Sequence, residues 1–123
     1  MYPIKIKRIY EAPEPEDGYR MLVDRLWPRG LKKEVAALDE WNKDIVPSTE
    51  LRKWFSHKPE NFERFSELYK IELAAKGDEL KRVLALAETQ NLTLLYAAKS
   101  TTINHARVLL EVLQSIYDDT SLV

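Results

Sequence analysis

The sequence predicts one small α/β domain spanning residues 1–123, with a partly parallel sheet flanked by helices. Three observations predict it. The continuous apolar run Leu92-Thr-Leu-Leu-Tyr-Ala-Ala98 reads as a strand covered on both faces. The shorter run Met21-Leu22-Val23, bounded by Gly18 and Pro28, reads the same way. Between and after these strands, apolar residues recur at three- and four-residue steps, which is the period of a helix with one buried face.

The elements follow in order. Ile4–Tyr10 alternates isoleucines with Lys5, Lys7 and Arg8, as in a strand whose basic residues are solvated. Glu11–Gly18 carries two prolines, a glycine and four acids and reads as a solvated loop. After the second strand, Pro28 fixes its own φ and forces Trp27 into an extended conformation, and Gly30 permits a turn. Leu31–Val46 is read as a helix in its first part and a strand in its second. Ser48 caps the next helix, Glu50 sits at its positive end, and Leu51, Trp54 and Phe55 face inward. Pro59 opens a further helix along Phe62, Phe65, Tyr69 and Leu73, which Gly77 stops. Asp78 caps a helix with Leu80, Val83, Leu84 and Ala87 inside, ending at Asn91. Lys99–Asn104 is a polar turn into a C-terminal helix marked by Ile103, Ala106, Val108–Leu110, Val112, Leu113 and Ile116, with residues 118–123 frayed.

Composition narrows the function. Three scattered glycines rule out a glycine-rich phosphate loop. A net charge of −1 disfavours non-specific nucleic-acid binding, which draws its affinity from a basic excess. With no cysteine, disulfides, zinc–cysteine sites and thiol nucleophiles drop out, and a reducing, cytoplasmic setting is expected. No run resembles a signal peptide or approaches the ~20 apolar residues of a membrane span. Two distant histidines give no metal-ligand spacing, so no cofactor or metal is expected.

Two constellations carry chemistry, and both fall where a strand ends, the edge at which open α/β sheets bind ligands. In Asp24-Arg25-Leu26-Trp27-Pro28-Arg29-Gly30, Arg25 and Arg29 present paired donors for a carboxylate or phosphate, with Trp27 between them. Asp24 orients an Arg or acts as a general base. The competing reading is a structural ion pair around a packed Trp27. In Lys99-Ser100-Thr101-Thr102-Ile103-Asn104-His105, unpaired N–H groups at a helix start, the Lys99 charge and the Ser100 and Thr102 hydroxyls suit an anion. His105 supplies a group that titrates near neutrality. The competing reading is ordinary capping by Thr102 or Asn104. His57, just after Trp54-Phe55-Ser56, reads as a capping or pairing residue. Asp39 and Glu40 point to different faces and make a poor dyad.

Ile9-Tyr10, Asp17–Arg20, Leu22-Val-Asp-Arg-Leu-Trp-Pro-Arg-Gly30, Leu38–Trp41, Pro47–Phe55 and Leu94–Ala98 followed by Asn104-His105-Ala106 together resemble the YeaO-like family of bacterial domains of unknown function. The resemblance runs from about residue 4 to residue 115. It implies a helix-flanked α/β domain with a polar site at these strand ends, and no substrate. A more distant branch of the family resembles this chain but carries a Cys-His-Arg cluster where Asn104-His105-Ala106 stands. Only the His is retained, so no thiol chemistry transfers.

Three functions follow. The first is a small enzyme, or an inactive relative of one, for an anionic or phosphorylated small molecule or nucleotide. Arg25, Arg29 and Lys99 would bind charge, and Asp24 and His105 would exchange protons. The second is a non-catalytic module for nucleic acid or protein, with Trp27 and the arginines on bases and phosphates. The third makes Asp24, Arg25 and Arg29 a network that fixes the fold. The first is preferred, and the sequence carries no sign of oligomeric state.

Overall fold

The computed structural model describes residues 1–121, with side chains described through Asp119. Four strands form one sheet in the order β1 (Ile4–Arg8), β4 (Leu92–Tyr96), β2 (Tyr19–Leu22), β3 (Glu40–Trp41). Every pairing is parallel, where a partly parallel sheet is expected from the sequence. Leu92 therefore stands level with both Ile4 and Tyr19, and β4 is the centre of the sheet. Its five residues are all buried, which explains an apolar run without alternation.

The two faces are covered unequally. Met21, Val23, Leu92, Leu94 and Tyr96 point into the main core, against helices α2 (Thr49–Phe55), α3 (Phe62–Ala74), α4 (Gly77–Leu86) and α5 (His105–Ser121). Leu22 and Leu95 point the other way, into a thin second core closed by Ala36, Trp27, Leu31, Leu38 and Trp41 from the β2–β3 connection. That connection contains the single-turn helix α1 (Lys33–Ala36) and the two-residue β3, so both expected halves of Leu31–Val46 are present but short. Trp27 meets Trp41 edge-on at 5.3 Å and donates its indole N–H to Leu31 O at 2.7 Å.

Helix boundaries follow local chemistry. Ser48 caps α2, its hydroxyl oxygen accepting the Leu51 N–H at 3.2 Å. Leu51 and Phe55 are buried as expected, but Trp54 is 47% exposed, because it lies off the stripe those two define. A 3₁₀ turn at Pro59–Asn61 leads into α3, whose Phe65 stacks on Phe55 at 4.3 Å and whose Tyr69 donates to Ile45 O at 2.5 Å. Gly77 opens α4 instead of ending α3, and Asp78 occupies its first turn, where its charge suits the helix dipole. α5 continues to Ser121; Leu122 and Val123, the end of the expected frayed segment, lie outside the described residues.

Two expectations of solvation are overturned at the other edge of the sheet. Asp17, in the Glu11–Gly18 segment, is completely buried, and Lys7 is only 8% exposed. The Lys7 ammonium donates to both Asp17 oxygens (3.1 and 3.0 Å), to Glu14 at 3.0 Å and to Ala12 O at 2.8 Å. Arg20 adds a 2.5 Å contact to Asp17 Oδ2, and Lys5 lies 3.3 Å from Oδ1. A basic residue on an alternating strand is ordinarily solvated; here three cations find one buried acid.

Candidate functional site

β2 and β4 are neighbours whose following segments leave on opposite faces of the sheet. After β2 the chain crosses to the thin face with Trp27, and after β4 it turns to the thick face and enters α5. A crevice must open between two parallel strand ends that diverge in this way. It is a pocket of about 280 Å³, lined from β2 onward by Asp24–Arg29, from the α2 region by Arg52, Phe55 and His57, and from β4–α5 by Ala97, Ala98, Asn104 and His105.

Asp24 stands at the floor. The parallel ladder persists one residue past β2, with the Val23 N–H on Leu95 O at 2.9 Å. The next side chain therefore lies across the β4 end, and Asp24 Oδ2 accepts the Ala97 N–H at 2.8 Å. Burial pushes the Asp24 carboxyl above its ordinary value; His105, the Ala97 N–H, His57 and Arg52 oppose it and do not overcome it. The two sequence constellations thus meet: His105 Nε2 lies 3.8 Å from Asp24 Oδ1. That is ion-pair distance and too long for a hydrogen bond. The same nitrogen donates its N–H to the Val23 carbonyl, which fixes the tautomer and turns the ring. The edge of Tyr69, 6.3 Å between ring centres, backs His105 from the core.

A folded carboxyl raised in this way is less destabilised when protonated. Its contribution to stability is therefore greatest below the ordinary value near 3.8 and declines as pH rises through the raised one. Asp24→Asn keeps an acceptor for the Ala97 N–H and removes the buried charge. It is expected to raise the thermal midpoint at pH 7 in scanning calorimetry; a lower midpoint would show that pairing with His105 and Arg52 outweighs burial.

The remaining expected residues divide. Arg25 lines the pocket with its guanidinium tied to Pro47 O at 3.0 and 3.3 Å. The Arg29 guanidinium is exposed at the rim and makes no hydrogen bond or ion pair among the described residues, while its backbone carbonyl accepts the Tyr10 hydroxyl at 2.9 Å. Trp27 presents its ring to the pocket while its N–H is used internally. Ser100 and Asn104 are spent on the turn. The Ser100 hydroxyl oxygen accepts the Thr102 and Ile103 N–H groups, and buried Asn104 caps α5 through the Arg107 N–H at 2.9 Å. Thr102 is exposed and contributes no side chain to the pocket wall. Lys99 and Ser100 line a separate, adjoining hollow.

Sequence reasoning missed Arg52 and undervalued His57. Arg52 Nε is buried without a hydrogen-bond partner among the described residues. His57 follows Ser56 in a pair of consecutive left-handed residues, φ 49° and 56°, that end α2 and swing the imidazole to the pocket. Left-handed non-glycine residues cost roughly 1–3 kcal/mol each and gather at functional sites. The available signal for Arg52 was its place in Pro47–Phe55, a stretch that carries the family resemblance. Among the described residues no cluster of three or more acidic or histidine side chains is placed to hold a metal, and no helix is long and apolar enough to cross a membrane.

Comparisons with known proteins place the chain in a family. The chain is 55% identical to the uncharacterised protein YeaO of Escherichia coli over 113 residues, covering 92% of this chain and 98% of that one. It is 42% identical over 90 residues to the uncharacterised proteins Rv3073c of Mycobacterium tuberculosis and Mb3100c of Mycobacterium bovis, covering 73% of this chain and 70% of each. No solved structure matches it. The family model described as the inactive DUF488-N3 subclade matches residues 3–121, and with the YeaO likeness this places the chain in that YeaO-like family.

Proposed function

We propose that the pocket at the carboxyl edge of the sheet binds a small anionic molecule, a carboxylate or phosphate ester with an apolar body, and holds it without turning it over. The charge of the pocket carries this reading: Arg25, Arg29 and Arg52 line it and Asp24 is its one acid, in a chain whose net charge is −1. Arg52 is the anchor. Its buried Nε has no acceptor among the described residues, at a cost of about 1–3 kcal/mol, and its terminal nitrogens are left for an anionic oxygen in the pocket. Guanidinium groups take such oxygens in pairs. Trp27, Phe55 and Phe65 provide an apolar wall for the rest of the ligand.

Binding is favoured over turnover by three observations. The His105 nitrogen nearest Asp24 is already committed to Val23 O, so the two do not form a hydrogen-bonded acid–base pair. No Ser, Thr or Cys lines the pocket to serve as a nucleophile. The family description, inactive, agrees with both.

A thermal-shift and calorimetric series with phosphate, phenyl phosphate, nucleotides and short oligonucleotides tests the reading. Phenyl phosphate is expected to stabilise the wild type. Arg52→Gln should weaken it at least tenfold, about 1.4 kcal/mol, and Arg29→Ala, at the rim, by less. Arg29→Ala should leave the ligand-free midpoint unchanged, since its guanidinium holds nothing in the fold. If no small anion shifts the wild type the proposal fails, and a response to oligonucleotides alone would favour a nucleic-acid module.

A further inference from the structure

We infer that the ligand of this pocket carries two separated anionic groups, one held at Arg52 and the other by Lys99 and Ser100 in the adjoining hollow. This rests on the anion-binding reading above and names the class of ligand more narrowly. The two cavities share His57, Ala97 and Ala98, so they adjoin at the end of β4. The second is lined by His57, Pro59, Ala97, Ala98, Lys99, Ser100 and Ile103, and it contains a cation and no acid.

The cations beside the candidate site divide into engaged and unengaged ones, and Lys99 stands with Arg29 among the unengaged. Arg25 is spent on Pro47 O, and Arg8, on the neighbouring strand, donates to Ala98 O at 2.8 Å. The Lys99 ammonium makes no hydrogen bond and no ion pair among the described residues. Ser100 stands beside it. Its oxygen accepts two backbone N–H groups, and its own O–H, which meets Thr102 Oγ1 only at a long 3.5 Å, can turn to donate outward. An ammonium and a hydroxyl donor, with no neighbouring carboxylate, form a second point of attachment for a carboxylate or phosphate oxygen. His57 lies on the boundary between the cavities, held there by the left-handed turn after α2. A ligand with one charge uses one cavity; a ligand with two, joined by a short uncharged spacer, uses both.

The test is a calorimetric titration with methylphosphonate and with alkylene bisphosphonates of one to five methylenes. One spacer length is expected to bind at least tenfold tighter than methylphosphonate, with shorter and longer spacers weaker. Lys99→Gln should abolish that advantage and leave methylphosphonate binding unchanged; Lys99 is exposed, so the variant should fold. Arg52→Gln should weaken both ligands. If affinity does not depend on spacer length, or if Lys99→Gln weakens the mono- and bisphosphonates equally, the two-anion inference is overturned while the single-anion pocket stands. If methylphosphonate and every bisphosphonate fail to bind the wild type, both readings fall together.

Discussion

Asp17→Asn is expected to destabilise the fold by about 3–5 kcal/mol, the usual cost of removing one partner from a buried ion pair. The carboxylate is fully buried and is held by Lys7, Lys5 and Arg20 and by the Glu14 backbone N–H at 3.1 Å. The amide retains the shape but leaves the cations with only Glu14 as counter-charge. Against a total stability of roughly 5–15 kcal/mol the loss is large, and equilibrium urea unfolding will read it directly. The same residue sets an acid limit. Burial alone would raise the Asp17 carboxyl, but the hydrogen bonds from Glu14, Lys7, Lys5 and Arg20 hold it at about 2 against an ordinary 3.8. A carboxyl depressed in the folded state contributes stability that is complete above its unfolded value and is lost as pH falls through the folded one. The wild type should therefore lose stability between pH 4 and pH 2 through this group, and Asp17→Asn should show a flatter profile there. A loss below about 1 kcal/mol would mean that the cluster exchanges its partners freely with water.

Gly18→Ala is expected to cost about 3–5 kcal/mol, from backbone strain and steric overlap together. Gly18 has φ 62° and ψ −125°, a conformation essentially limited to glycine. An added Cβ would lie 2.3 Å from Asn91 O and 2.8 Å from Asn91 Cβ. Neither side can give way easily, because Asn91 O accepts the Tyr19 N–H at 2.8 Å and its amide donates to Glu16 O at 2.8 Å. The overlap therefore prises β2 from β4 at the point where their register begins. Gly77→Ala is the control, since nothing lies within 4 Å of its added Cβ and the residue opens α4 with an ordinary φ. It should be neutral or stabilising by up to ~1 kcal/mol. Equal losses at the two positions in parallel urea titrations would show that close approach to Asn91 does not matter.

What the chain reveals on its own is what its neighbours along the chain determine. β4 is legible because all of its residues are buried, and α3 because Phe65, Tyr69 and Leu73 keep the helical period. The approach of Asp24 to His105 is legible as well, since each follows a strand and parallel strands end on one edge. What escapes is assembled across the chain. Lys7 reads as solvated until Asp17 arrives from ten residues away, and no propensity registers a desolvation cost that one distant carboxylate offsets. Arg52 escapes for a related reason. An arginine on a short helix reads as surface, and only the fold shows that it lines one pocket with Phe55, Phe65 and Asp24. Trp54 errs in the opposite direction: its size marks it as core, but its place off the Leu51–Phe55 stripe sends it outward.

The strand order has a consequence for how the molecule comes into being. β1 and β2 never pair with each other; each pairs with β4, which lies near the end of the chain. A nascent polypeptide that has not yet reached residues 92–96 thus has β1 unpaired and β2 paired only with the two-residue β3. Pairings this remote close late and slowly, because the loop entropy must be overcome before any contact repays it. Closure of the sheet is therefore held back until residues 92–96 have been made, and the strand ends that form the pocket come together in the step that inserts β4 between β1 and β2.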